Sequence, residues 1–131
     1  TEASLEWLKN HQSSDGSWDE DGFESRTTGL ALLAFLGYGE THKTPRYGSV
    51  VRSGLKHLKG IQDSEGCFGP RGAAGFLRRH AVSVLAMAEA YGLTQSPLFK
   101  ASAQNGIDFL LSARNAGGGA GPDASRGGRG G

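Results

Sequence analysis

The feature that most constrains this chain of 131 residues is an internal repeat of about fifty residues. At an offset of 50, Leu5–Leu8 aligns with Leu55–Leu58. At an offset of 52, Thr28–Ala34 aligns with His80–Ala86, and a third, shorter copy begins at Pro97. A unit of this length cannot bury its apolar residues alone, so repeated units stack and share one core. The chain is therefore expected to fold as a stack of repeats.

Each repeat contains two different helical patterns. Three segments carry apolar residues at i, i+3 and i+4 with charged residues between them, at 3–12, 47–62 and 97–114. Two further segments, 26–38 and 78–92, are apolar nearly all the way round, which is typical of helices buried on both sides. The alternation predicts an all-α fold of five helices in antiparallel hairpins. The two apolar helices are expected to pack side by side as the inner, more buried layer.

The same pattern predicts one repeat domain over residues 1–115, followed by a tail. The repeats are expected at about 1–45, 46–96 and 97–115, which amounts to about two and a half helix pairs. Residues 116–131 are rich in glycine and hold no large apolar side chain. Such a segment cannot bury enough surface to offset its ordering entropy, so the tail is predicted to be flexible.

Composition argues against nucleic-acid and membrane partners. The formal net charge is +1, with 37% hydrophobic and 21% charged residues, which is a globular balance without a basic excess. The tail holds only two arginines and no aromatic residue that could stack on bases, so we interpret it as a linker or an exposed end. No apolar run approaches the roughly 20 residues that a transmembrane helix needs.

The sequence does not determine the cellular compartment. A single cysteine, Cys67, excludes an internal disulfide framework and weakly favours the cytoplasm. The first residue is Thr1 rather than methionine, and the helical pattern is already running by Leu5. We therefore expect the native start, with any targeting signal, to lie upstream.

A recurrent motif ends each amphipathic helix. The first copy, Trp7–Trp18, contains an aromatic–aliphatic pair, a glutamine four residues after the aliphatic one, and then Gly-x-Trp. The second copy, His57–Phe68, has phenylalanine in place of the last tryptophan. In the third copy, Arg114 replaces the glutamine and Ala120 replaces the aromatic residue. The motif resembles the QW motif of terpenoid cyclases.

Over residues 3–115 the chain resembles the α/α-toroid superfamily of squalene and other terpenoid cyclases and protein prenyltransferases. It is similar as well to bacterial proteins of unassigned function that carry prenyltransferase and squalene-oxidase repeats. The resemblance implies a partial α/α toroid, whose ring is completed by self-association or by a remainder of the protein. It also implies that the motif residues tie outer helices together. These residues are Trp7, Gln12, Gly16, Trp18, Gln62, Gly66 and Phe68.

The catalytic signatures of these enzymes are not found in the chain. Cyclases protonate an alkene with an Asp-x-Asp-Asp segment, whereas Asp19–Gly22 has its acidic residues in another order. No Asp-Asp-x-x-Asp segment is present to hold magnesium against a diphosphate. Gly66–Gly69 does not match the Gly-Cys-Gly-Glu-Gln segment of the thioester-containing toroids. We therefore expect no catalytic residue and no cofactor in this chain.

A zinc site of the prenyltransferase kind would need Asp, Cys and His ligands. Asp63, Cys67 and His80 are the candidates, but the family's Asp and Cys stand closer together and its His lies further along the chain. The position of Cys67 after a turn glycine favours a small packing residue. We expect no bound zinc.

The candidate ligand site is the start of the second apolar helix. His80 takes the place of Thr28 in the repeat, and three further candidates precede it: Phe76, Arg78 and Arg79. An imidazole beside two guanidinium groups at a helix N-terminus would suit an anionic head group, with the ring on the cavity side. The alternative is a histidine hydrogen-bonded to a neighbouring loop, with both arginines solvated.

Three hypotheses for function follow. The first is a non-catalytic repeat module that binds an isoprenoid or another apolar ligand on its concave face. The second is a fragment of a terpenoid cyclase or prenyltransferase-like enzyme whose catalytic residues lie outside this chain. The third is a protein-interaction scaffold. Acidic or zinc signatures in the remaining repeats would distinguish the first two, because this chain carries neither.

Overall fold

The computed structural model of the chain describes residues 2–18, 24–69, 71 and 75–116. Within them lie five α-helices: α1 (Glu2–Asn10), α2 (Glu24–Gly37), α3 (Gly48–Ile61), α4 (Phe76–Thr94) and α5 (Pro97–Ala116). The described part of the chain has no β-strand, only an isolated bridge between Gln62 and Phe68. The all-α prediction is confirmed, and each helix end lies within two residues of the predicted one.

The helix ends follow from the local sequence. Ser96 caps α5, because its Oγ accepts a hydrogen bond from the backbone N–H of Leu98 at 3.2 Å. Pro97 occupies the first helical position, where a missing N–H costs nothing. At the end of α4, Gln95 adopts a left-handed conformation with φ of 56°. After α3, Gln62 turns to an extended conformation, which begins the next motif turn.

The two apolar helices, α2 and α4, pack side by side as predicted and form the most extensive helix–helix contact among the described residues. Their approach is close, because a Cβ added to Gly29 of α2 would lie 2.8 Å from Cγ1 of Val82 in α4. A residue without a side chain is therefore needed on α2 at this point.

The three amphipathic helices, α1, α3 and α5, lie side by side and run in the same direction. The bonds that join them pair residues whose numbers rise together: Glu6 with Tyr47, Gln12 with Val50, Lys59 with Leu98, and Gln62 with Ser102. Each apolar helix connects two parallel amphipathic helices and therefore runs in the opposite direction. The amphipathic helices form one layer, and the antiparallel apolar helices form the other.

The core lies between these two layers. Near the first repeat, the rings of Trp18 and Tyr47 flank that of Phe35, with centroid distances of 6.1 and 5.2 Å. Leu32 and Leu58 have no exposed surface. Full burial of such side chains stabilises the fold by roughly 1.5–3 kcal/mol each, so the core is the main support for the motif turns above it.

Some predictions fall on residues that the structure does not describe. These are the acidic segment Asp19–Gly22 and the glycine-rich tail after Ala116. Within the described ranges, no helix combines the length and the apolar character that crossing a membrane requires.

Candidate functional site

The first motif turn is held together by Gln12. Its Nε2 donates hydrogen bonds to the backbone oxygens of Gly16 and Val50, both at 3.0 Å. Asp15 closes the same turn, because its Oδ1 accepts bonds from the backbone N–H and the hydroxyl of Ser17. The hydroxyl bond is the main reason that the pKa of Asp15 lies below its usual value. One glutamine thus fastens its own turn and also ties the end of α1 to α3.

The second motif turn repeats this arrangement around Gln62. Its Nε2 donates to the backbone oxygens of Gly66 and Ser102, again both at 3.0 Å. The second turn has one more bond, because the hydroxyl of Ser102 donates to Oε1 of Gln62 at 2.8 Å. The equivalent position in the first repeat is Val50, which has no hydroxyl. The second glutamine is therefore tied to the next amphipathic helix by one more hydrogen bond than the first.

Two turn glycines lie against the backbone of the next amphipathic helix. Gly16 and Gly66 have φ angles of +94° and +99°. A Cβ on Gly16 would lie 2.3 Å from the oxygen of Ser53, and one on Gly66 would lie 2.2 Å from the oxygen of Asn105. Both the backbone conformation and the space exclude a side chain.

The aromatic residue of each motif is buried under its turn. Trp18 is 5% exposed, its Nε1 donates to Leu8 O at 2.8 Å, and its backbone N–H donates to the hydroxyl of Thr28 at 2.9 Å. Phe68 is 1% exposed, and its backbone N–H donates to Nδ1 of His80 at 3.0 Å. Thr28 and His80 therefore have the same role, because each side chain accepts a hydrogen bond from the backbone N–H of the motif aromatic residue.

The predicted cavity-side position of His80 is wrong. The ring has no exposed surface, and it lies 4.9 Å from the ring of Phe109 in α5. Its Nε2 is 2.8 Å from Gly106 O, so a neutral ring protonated at Nε2 satisfies both nitrogens. Burial lowers the pKa of His80 and so favours this neutral form. His80 is a core residue that joins the second turn, α4 and α5.

The other three residues of the predicted ligand site occupy unlike environments. Arg78 is exposed, Arg79 is 3% exposed, and Phe76 is half-buried. His80 has no nitrogen left for an anion, so the expected cluster of one imidazole and two guanidinium groups is not assembled.

Asp63, Cys67 and His80 take part in hydrogen bonds that stabilise the second motif turn. One oxygen of Asp63 accepts from the N–H of Cys67 at 3.1 Å, and the other pairs with Arg71 at 2.7 Å. Burial pushes the pKa of Asp63 upward, but these bonds outweigh it and the pKa lies below its usual value. Burial raises the pKa of the Cys67 thiol. Among the described residues, no three His, Cys, Asp or Glu side chains are grouped so that they could hold a metal ion.

The first repeat carries an open apolar groove, which we call the α1–α2 groove. It has a volume of about 370 Å³ and is lined by Trp7, Leu8, His11, Trp18, Thr27, Leu30, Ala31 and Ala34. Trp7 and Leu30 are 57% and 53% exposed. The Trp7 ring does not enter the core but stacks on His11, with a centroid distance of 3.7 Å. Because apolar side chains exposed together are typical of interaction sites, the α1–α2 groove is a candidate binding surface.

The sequence did not locate the α1–α2 groove, because a helix as apolar as α2 was expected to be buried on both sides. The alignment of α2 with α4 could have revealed it, because equivalent helices need equivalent neighbours. One side of α4 is covered by α2, whereas α2 has no equivalent neighbour on that side among the described residues.

Comparison with known proteins does not assign this chain to a family. No family model, no curated protein and no solved structure matches it. Any function must therefore be inferred from the structure of the chain itself.

Proposed function

We propose that this chain is a non-catalytic helical-repeat module that binds an apolar α-helix in the α1–α2 groove. The observation that carries the proposal is that several side chains along this groove are more exposed in the first repeat than their counterparts are in the second. Repeat proteins commonly behave in this way at an end of the stack, where a helix face is left for another unit.

The inner helices show the difference. Four residues of α4 form one buried stripe: Arg79, Ser83, Ala86 and Ala90. The stripe lies beside Val82, which contacts Gly29 of α2, so α2 covers it. At an offset of 52, the equivalent residues of α2 are Thr27, Ala31 and Ala34, and the counterpart of Ala90 lies just after the end of α2. Thr27 and Ala34 are half-buried, whereas their counterparts on α4 are buried. Leu30 is 53% exposed, whereas its counterpart Val82 is half-buried. Ala31 is buried in both repeats.

The amphipathic helices differ in the same sense. The His57 side chain is 11% exposed, with its Nδ1 3.8 Å from a carboxylate oxygen of Asp15 in the preceding turn. Its counterpart in the first repeat, Trp7, is 57% exposed. Leu58 has no exposed surface, whereas its counterpart Leu8 is half-buried. Both walls of the α1–α2 groove thus present side chains that the second repeat buries against a neighbour.

The occupant that fits this surface is a helix of the α2 type. α2 packs on the equivalent surface of α4, with Gly29 at a point where the two helices approach closely. Small residues on the groove side, Ala31 and Ala34, permit a similarly close approach. We further propose that such stacking extends the chain into an α/α toroid, as its resemblance to the cyclases and prenyltransferases implies.

A synthetic peptide of residues 24–40 tests the proposal. We expect it to bind the chain and to change the fluorescence of Trp7 and Trp18, which both line the groove. Leu30→Glu should weaken binding at least about tenfold, since it puts a charge on the apolar contact surface. The matched control is Leu93→Glu, because Leu93 is also exposed but lies outside the groove. Equal affinity in both variants would contradict the proposal.

A small apolar ligand is the second candidate occupant, and the groove volume of about 370 Å³ favours it. Ligand sites commonly have about 300–1,000 Å³ and a mostly apolar lining with few polar groups. An isoprenoid alcohol such as farnesol would suit this lining, with the Thr27 hydroxyl as its polar partner. Titration with farnesol, alone and in competition with the peptide, distinguishes the two occupants. The enzyme-fragment hypothesis depends on residues outside this chain, and the sequence of the whole gene would test it.

A further inference from the structure

We propose that a second groove, between α3 and α5, binds a single-chain anionic amphiphile such as a fatty carboxylate. This α3–α5 groove has a volume of about 530 Å³ and is lined by Arg52, Lys56, Lys59, Gly60, Leu98 and Phe99. It shares no residue with the α1–α2 groove. The proposal is therefore independent of the proposed function.

One wall of the groove is positively charged. Arg52, Lys56 and Lys59 are spaced at i, i+4 and i+7, so they lie on one face of α3. α3 contains no acidic residue, and none of the described lining residues is acidic. The chain as a whole has a formal net charge of only +1, so these three cations are a local concentration.

Two of the cations are held in place by backbone oxygens. Lys59 Nζ donates to Leu98 O across the groove at 2.9 Å. A guanidinium nitrogen of Arg52 donates to His42 O at 3.0 Å. Lys56 has no such fixed bond among the described contacts, so its ammonium group is the one most available to a ligand.

The other wall is apolar. Leu98 is 56% exposed at the start of α5, beside Phe99, which is 3% exposed. Behind Phe99 lies the ring of His42, edge-on at 4.8 Å, with an Nδ1 that is buried and has no hydrogen-bond partner in the described part of the chain. The groove thus joins an apolar surface to cations and lies beside a buried polar atom whose hydrogen-bonding capacity is unused.

The chemistry of the two walls defines the ligand. Exposed ion pairs contribute only about 0–1 kcal/mol each, so a small anion alone would bind weakly. An apolar chain on Leu98 adds burial at about 25 cal/mol per Å² of covered surface. The volume of about 530 Å³ falls within the range that is common for small-molecule sites. An anionic head with a single apolar chain uses both walls together.

Dodecanoate below its micellar concentration is the probe, with binding measured by titration calorimetry on the full chain. We expect binding that is weakened about tenfold by Lys56→Glu and that falls with added salt. Arg114→Glu is the matched control, because Arg114 is an exposed cation of α5 outside the groove. Leu98→Asp should weaken dodecanoate binding while thermal stability stays unchanged, since Leu98 is exposed.

Four comparison probes complete the experiment. Weak or absent binding of dodecanol and of inorganic phosphate would support the proposal, because each offers only half of the required chemistry. Equal binding of dodecanol, or an unchanged affinity in Lys56→Glu, would overturn it. Binding of anionic vesicles or of an acidic amphipathic peptide without binding of monomeric dodecanoate would also overturn it, in favour of a membrane or a protein partner.

Discussion

The first and second motif turns share their glutamine and glycine contacts but differ in the side chains that pack beneath the turn. In both, a glutamine bonds its own turn and the next amphipathic helix, and a glycine touches that helix. In the first turn, the indole of Trp18 adds a bond back to α1, and Thr28 accepts one backbone bond. In the second, Phe68 adds no such bond, whereas His80 reaches both the turn and α5.

The comparison separates what the repeat requires from what each copy adds. The backbone path and the glutamine bonds are common to both turns, and they depend on the glycines. The polar group that lies under the turn differs, since a hydroxyl suffices in one copy and an imidazole joins three segments in the other. Replacing single residues can therefore test which bonds are general and which belong to one turn.

The largest effect is expected for the turn glycines. Gly16→Ala and Gly66→Ala would each combine a strained φ with overlap against a helix backbone, at a cost of roughly 2–6 kcal/mol in the free energy of unfolding. The control is Gly37→Ala, because no atom lies within 4 Å of a Cβ there. Urea unfolding monitored by circular dichroism measures all three. A cost near zero at either turn would show that the turn is not pressed against its helix.

Removal of the motif aromatics should come next. Trp18→Ala and Phe68→Ala are each expected to cost roughly 3–5 kcal/mol, because both rings are buried. Trp18→Phe makes the first turn resemble the second and keeps most of the packing. It should cost only about 0.5–1.5 kcal/mol, the value of the lost bond to Leu8 O. A Trp18→Phe cost as large as that of Trp18→Ala would contradict the equivalence of the two turns.

His80 should contribute more than Thr28 and should make stability depend on pH. His80→Thr keeps an acceptor for the N–H of Phe68 but leaves Gly106 O without its bond, at a cost of about 1–3 kcal/mol. The pKa of His80 is lowered in the folded chain from an ordinary value of 6.5. Below that pH the unfolded chain binds the additional proton, so stability is complete above pH 6.5 and falls as the pH decreases.

Unfolding free energies of the wild type and His80→Thr, compared between pH 7.5 and 5, measure this contribution. His42 is also buried with a lowered pKa, and it is present in both proteins, so the difference between the two curves isolates His80. We expect a shallower decline in the variant. Parallel curves would mean that His80 does not titrate differently on folding.

The smallest expected effect is the difference between the two glutamines. Gln12→Ala and Gln62→Ala each remove two bonds to backbone oxygens, but only the second also removes a bond from Ser102. Gln62→Ala should therefore cost about 0.5–1.5 kcal/mol more. Ser102→Ala tests whether the bond from Ser102 causes this difference. In a chain that already carries Ser102→Ala, the two glutamine variants should lower the free energy of unfolding by the same amount.

Periodicity was sufficient to predict the helices and the pairing of α2 with α4. Apolar spacing distinguishes a helix with one buried face from a helix buried on several, and the offset places the two apolar helices in equivalent positions. The repeat offset placed the start of α5 at Pro97, which is where the helix begins after its cap residue Ser96. Local sequence determines such features, because the contacts that create them lie within a few residues.

The position of His80 could not be predicted in the same way. Its alignment with Thr28 was visible, but a helix N-terminus also favours an exposed anion site, and charge on Arg78 and Arg79 supported that interpretation. The deciding contact is with Gly106, which lies 26 residues further along the chain. The sequence also could not show that the cations of α3 line a groove, since three charges on an amphipathic helix usually form only a solvated face.

The glutamine ties have a consequence for how the chain acquires its structure. Gln12 and Val50 are 38 residues apart, and Gln62 and Ser102 are 40 apart, so each long-range bond spans less than one repeat. Each bond therefore needs only a loop shorter than one repeat to close, and neither depends on the far end of the chain. On the ribosome, the first tie can close as soon as α3 has emerged, before α5 has been synthesised. The repeats can thus become ordered one after another from the amino-terminal side, each serving as the template for the next.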